Sequence, residues 1–245
     1  MECYKCGNIN IPNTIYCSEC GTQIRGEKID YNDTNKKYFV QTIALFVCIV
    51  LIILMSIEIV NDLPLLPREY LFNGMLVFTV LVFAILDIRG FLQLFRITFH
   101  YRPILLIIFI APVLALCVNY AANFLNNLAG YKSEDYYISY QNNTSNVYLY
   151  GIIFISLMPG FIEEFLFRGI LFNHLLRLTS PKSTILVSSI LFSFIHFSIF
   201  SLLWLFPIGL FLGYLRFRFR TIWYSIFFHV SYNASIYLLE IWLNK

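Results

Sequence analysis

Residues 38–58 read YFVQTIALFVCIVLIILMSIE, twenty-one positions with a single charged side chain, Glu58. At a rise of about 1.5 Å per residue, a helical run of that length crosses the ~30 Å hydrocarbon layer of a bilayer. The run is too long for the core of a signal peptide, and the 37 residues before it are polar, so no secretory leader is expected. It is read as a spanning helix. Similar stretches recur at about 70–87, 103–125, 147–166, 182–200, 201–216 and 221–242. Ser198–Ser201 alone separate the fifth and sixth, which suggests a partly re-entrant hairpin. Pro159-Gly160 interrupts the fourth, where a kink or unwound turn is expected.

The whole chain agrees with that stretch. Its 245 residues are 59% hydrophobic, 18% aromatic and 13% charged, with mean hydropathy +0.71. Soluble domains carry about 25% charged residues, so too little polar surface is present to cover a water-soluble globule. Disordered, collagen-like and disulfide-rich secreted classes fail on the same composition. A net charge of +3 gives no footing for nucleic acid. An integral membrane protein in contact with lipid remains.

Placement of the basic residues orients the spans. With the N-terminus in the cytoplasm, fourteen of the seventeen Lys and Arg fall in cytoplasmic segments, including Lys36, Lys37, Arg89, Arg168, Arg177, Arg216, Arg218 and Arg220. Arg68, Lys132 and Lys245 fall outside. Arg216, Arg218 and Arg220 read as a positive-inside anchor. His100 and His174 read as solvated groups in cytoplasmic segments.

Ahead of the first span lies Cys3-Tyr-Lys-Cys6-Gly7, and after ten residues between Cys6 and Cys17 comes Cys17-Ser-Glu-Cys20-Gly21. Two CxxCG knuckles supply four thiolates, the closed tetrahedral set of a structural zinc. A pair of disulfides is the competing reading, but the orientation puts this unit in a reducing compartment. The pattern resembles the zinc ribbons at the N-termini of many prokaryotic membrane proteins. Cys48 and Cys117 lie in apolar runs and read as small core residues.

Ionisable side chains at membrane depth are costly and mark functional sites. Three clusters qualify. Glu163-Glu164-Phe-Leu-Phe-Arg168 is read at the cytoplasmic end of the fourth span, where Glu164 and Arg168 can pair across one helical turn. Phe192-Ser-Phe-Ile-His196 lies in an otherwise apolar span. His229-Val-Ser-Tyr-Asn233 puts imidazole and carboxamide on one face of the last span. An ion pair with snorkelling ends, and core histidines, are the bland readings of each cluster alone. Together the groups avoid lipid only by converging on the bundle interior or a wet cavity. A carboxylate there can take a proton from water, and imidazole or carboxamide donors can meet an oxyanion. The same Glu and His residues can instead hold a catalytic metal with a position open for water. HExxH is absent.

EExxxR, FxxxH and HxxxN, in that order on successive late spans, resemble the motifs of the CPBP intramembrane proteases. These are the type II CAAX prenyl proteases and their bacteriocin-processing and immunity relatives, the ABI family. The resemblance covers about 147–240. It implies that Glu163 activates water with His196 beside it, and that His229 and Asn233 bind the oxyanion. Glu164 and Arg168 would orient the site, and Phe192 would pack near it on the substrate side. The resemblance further implies an active site free of metal and a protein or peptide substrate, lipidated proteins included. A non-proteolytic immunity or binding protein using the same polar cavity, and a metal-dependent intramembrane protease, are the alternatives.

The expected fold is therefore an all-α polytopic membrane protein of about seven transmembrane helices with a small N-terminal β zinc ribbon. Its parts are the ribbon at 1–24, a polar linker at 25–37 and the protease domain at 38–245. Cys3, Cys6, Cys17 and Cys20 are the expected zinc ligands.

Overall fold

A computed structural model describes residues 2–10, 16–17, 19–24, 33–59, 63–95, 101–130 and 135–244. Most of the linker (25–32) lies outside those residues, as do Arg96, His100, Lys132 and Lys245. Seven long helices follow one another: α1 (Asp33–Ile59), α2 (Leu65–Leu86), α3 (Tyr101–Leu128), α4 (Val147–Leu178), α5 (Pro181–Phe194), α6 (Ile199–Phe219) and α7 (Trp223–Leu243). Each overlaps one of the seven predicted stretches, but α4 runs on past the end of its stretch and α5 stops short of the end of its own. α1, α2, α3, α4 and α6 are each long and apolar enough to cross a membrane. α5 has 14 residues, about 21 Å of helix, short of the ~30 Å layer. α7 has the length but carries His229, Asn233 and Glu240, which lower its hydropathy.

α4 is the central helix. Of its most apolar window 39% is buried, against 17% in α3, which lies at the periphery against α7. α4 touches α7, α2 and α6, while α1 packs on α2 and on the last turns of α4. Large side chains such as Phe78, Ile85 and Phe109 stay exposed on the outer faces of α2 and α3, as a lipid-facing surface requires. Inside, Phe83, Leu166, Phe167, Leu171 and Phe192 form the main core.

The fourth predicted stretch stops at 166, but α4 continues to Leu178. Glu163, Glu164 and Arg168 thus lie within a helix of 32 residues rather than at its end. Nor does Pro159 unwind the chain. The turns before it (Ile152–Leu157) widen to a π-helix, α-geometry resumes over Met158–Glu164, and a second π stretch covers Phe165–Leu171. Proline lacks an N–H and crowds the carbonyl four residues back, and a wider turn accommodates it. α5 starts sharply because Ser180 caps Ser183 N at 3.2 Å and Pro181 supplies the first helical residue.

The N-terminal unit is simpler than a β ribbon. Among the described residues its pairing is two isolated antiparallel bridges, Glu2 with Ile9 and Tyr16 with Gln23. Each knuckle closes within about six residues, which leaves no length for a ladder. The Gly7 amide donates to Cys3 O at 2.8 Å and the Gly21 amide to Cys17 O at 3.0 Å. Both glycines are left-handed, at φ +69° and +67°, which a side chain would strain.

Candidate active site

The crossing of α4 and α7 assembles the site. Gly160 makes that crossing close: a Cβ there would lie 2.4 Å from Val230 Cγ2 and 3.2 Å from Val230 N. One turn along α4, and right beside Val230 on α7, the polar groups meet. Gly160→Ala is therefore expected to destabilise the fold by about 1–3 kcal/mol, the usual cost of overpacking. Val230→Ala in the same chain recovers only part of the loss, because the backbone contact persists. Thermal unfolding of the single and double variants measures both effects.

Glu164 and Arg168 are wholly buried and paired at 3.1 Å. The same carboxylate oxygen, Glu164 Oε1, also accepts from His229 Nδ1 at 3.0 Å. Arg168 Nη2 donates to the Gly209 carbonyl of α6 at 3.2 Å, and its guanidinium lies 4.1 Å over the Phe192 ring. With Nδ1 committed to Glu164, His229 directs Nε2 towards Glu163 Oε2, 3.9 Å away. That separation exceeds a hydrogen bond. Glu163 Oε2 is itself buried without a hydrogen-bond partner among the described residues.

Phe192 links the two histidines. It is buried, with its ring 5.3 Å from His196 and 5.9 Å from His229, both edge-on. His196 lies in the turn after α5, exposed, its Nδ1 3.0 Å from Phe192 O. A carbonyl only accepts, so Nδ1 carries the proton and Nε2 keeps its lone pair. Among the described residues no hydrogen bond or ion pair joins His196 to Glu163, or Asn233 to any of these groups. Asn233 is half-buried, one turn beyond His229. Glu163, Glu164, Arg168, Phe192 and His229 thus form one tight cluster, with His196 attached through Phe192 and Asn233 on its flank.

Sequence reasoning missed a layer beneath the cluster. Arg216, read as an anchor, is buried: its Nε donates to Arg168 O at 3.0 Å and its Nη2 to Asn173 Oδ1 at 2.9 Å. Asn173 in turn donates to Gly90 O at 3.1 Å. His174, read as solvated, has no exposed surface and stacks against Tyr38 of α1 at 5.3 Å. Next to it Arg177 pairs with Asp87 at 2.7 Å. The available signal was spacing: Gly209, Gly213 and Arg216 share one face of α6.

At the other end of the chain the four cysteines converge. Their sulfurs all lie within 4.8 Å of one another, with Cys3–Cys20 at 3.7 Å and Cys6–Cys17 at 3.5 Å. The edge of a tetrahedron with metal–sulfur bonds near 2.3 Å is about 3.8 Å. The thiols are free rather than paired as disulfides, and they fit a metal ion. Amides support the set: Glu19 N points to Cys17 Sγ at 3.4 Å and Asn10 Nδ2 to the same sulfur at 3.6 Å.

A helical membrane protein with paired carboxylates and a histidine buried at a helix crossing is the class these features define. Residues 145–235 match the model of a family described as type II CAAX prenyl endopeptidase Rce1-like, and for that segment the family resemblance carried by the three motifs is shown. A Bacillus subtilis (strain 168) protein named "Putative membrane peptidase YdiL" is 30% identical over 90 residues. That alignment covers 37% of this chain and 37% of the relative, so the chain spans little more than a third of the relative's length. No solved structure matches.

Proposed function

We propose that this protein is an intramembrane endopeptidase, a hydrolase that cuts a peptide bond of a protein substrate near the cytoplasmic face of a cell membrane. The observation that carries this reading is the pair of atoms facing each other across 3.9 Å, Glu163 Oε2 and His229 Nε2, with Glu164 and Arg168 fixing the imidazole from behind. A gap of that size suits a bridging water or a reacting oxygen. Glu163 takes a proton from water, and the hydroxide attacks the substrate carbonyl. His196 Nε2, free to accept, steadies the attacking water. The oxyanion is met by the Asn233 carboxamide and by His229 once its Nε2 carries a proton. Glu163 then returns its proton to the leaving amine. No step is routed through a metal.

The excess of Lys and Arg on one side supports an N-terminus in the cytoplasm. Substrates of the CAAX type, lipidated near the C-terminus, agree with the matched family's description. Membranes from cells carrying the parent protein or Glu163→Gln, compared by proteomics of C-termini, test the reading. New C-termini are expected with the parent alone, and identical sets would remove the proposal.

We assign the four-cysteine site to zinc in a structural role, since all four positions are filled by protein. Purified parent protein should carry about one zinc per chain by elemental analysis, and Cys3→Ser should carry much less. Equal content in both would refute the assignment.

A further inference from the structure

The N-terminal unit is not independent of the helical bundle. Arg220 ends α6 in the left-handed conformation, φ 55°, in the turn that leads into α7. Its guanidinium pairs with the Glu19 carboxylate and donates to Asn8 Oδ1, contacts that join residues more than 200 positions apart. Neither Asn8 nor Glu19 is a cysteine, yet both belong to the shell of one. Asn8 Nδ2 contacts Asn10 Oδ1 at 3.2 Å and Cys17 Sγ at 3.9 Å, while the Glu19 amide faces that sulfur at 3.4 Å.

On its other side the turn is tied to the chain after α2. Thr221 Oγ1 and Ile222 N both reach Leu94 O at 3.3 Å. α7 begins at the next residue, and His229 follows seven residues after Ile222, about 10 Å along the helix. The turn that Arg220 opens therefore ends, at Ile222, about two helical turns before the histidine at the centre of the polar cluster.

We propose that the metal-loaded N-terminal unit is a latch on the turn between α6 and α7: the Cys17 knuckle holds Asn8 and Glu19 in place to grip Arg220, and loss of the ion releases that turn. Without the ion nothing joins the two knuckles through their four sulfurs, and the knuckle geometry that aims Asn8 and Glu19 is then lost. The latch does not depend on the reaction the site performs.

Hydrogen–deuterium exchange on the full-length protein in nanodiscs tests it, comparing zinc-loaded and chelator-stripped samples over peptides from 216–224. Stripping is expected to speed exchange of this turn roughly fivefold, the factor that about 1 kcal/mol of lost closure gives for a half-exposed ion pair. α1 and α2 should be unaffected. Glu19→Lys should give the same acceleration with its zinc content intact, and Glu19→Lys with Arg220→Glu should restore protection. An unchanged turn on stripping, or in Glu19→Lys, overturns the latch. So does acceleration spread evenly over all helices.

Discussion

Glu163→Gln is expected to slow peptide cleavage roughly 10²–10⁴-fold, the range that a positioned general base contributes. The substitution keeps shape and volume but removes the ability to take a proton. It should leave the fold intact, because Glu163 makes no bond to Arg168. The buried pair beneath is Glu164 with Arg168, and it survives. Single-turnover cleavage by purified protein in detergent reads the first effect, and thermal unfolding within about 1 kcal/mol of the parent reads the second. Cleavage within tenfold of the parent would show that another group activates water. The site would then need a different base, and His196, whose Nε2 keeps its lone pair, would be the first to test.

Arg168→Met should unfold the protein more readily than any other single change at this site, by about 3–5 kcal/mol, the cost of leaving one partner of a buried pair uncompensated. Three ties are lost together: Glu164 Oε1, the Gly209 carbonyl, and the contact over the Phe192 ring. Glu164 would keep only His229. Lysine is a poor substitute, since one ammonium cannot reproduce a planar fork that reaches a carboxylate and a carbonyl while lying on an aromatic face. Removing the charge from both sides, as Glu164→Gln with Arg168→Met, should recover much of the stability. Denaturant unfolding of the two variants decides the matter. A double variant no more stable than Arg168→Met would mean that packing around the guanidinium, not the unpaired carboxylate, sets the cost.

The apolar frame was legible because length and hydropathy alone dictate it. Tyr38–Glu58 lies in α1, and Ser198, the first residue of Ser198–Ser201, caps the start of α6. Where the reading failed, tertiary cover was the reason. Glu163, Glu164 and Arg168 looked like the end of a helix because charge belongs at an interface, yet pairing let α4 carry them through its buried middle. His174 looked solvated and Arg177 was one more cytoplasmic charge, yet Tyr38 of α1 lies against the first and Asp87 pairs with the second. Arg216 looked like an anchor and instead bonds the backbone of Arg168. For His174, Arg177 and Arg216 the partner lies far along the chain, where no local pattern can announce it. The site residues were easier, since His229, Glu164 and Arg168 are conspicuous in an apolar sequence. Their order of contact was not. Sequence spacing pairs Glu164 with Arg168 but says nothing of His229 sharing the same oxygen.

The widened stretches of α4 have a consequence for how its two ends face. A turn that closes over five residues rather than four holds one residue more than the α-helical count, and each residue is worth about 100° of rotation about the axis. Ile152–Leu157 and Phe165–Leu171 therefore act as two phase shifts on a single rod, with the carboxylates between them. The outer end can aim its residues at Tyr237 and Ile241 of α7, the middle at His229, and the inner end at α1 and Arg216, without a break in the helix. One continuous element thus serves three neighbours whose directions no uniform 3.6-residue screw would satisfy.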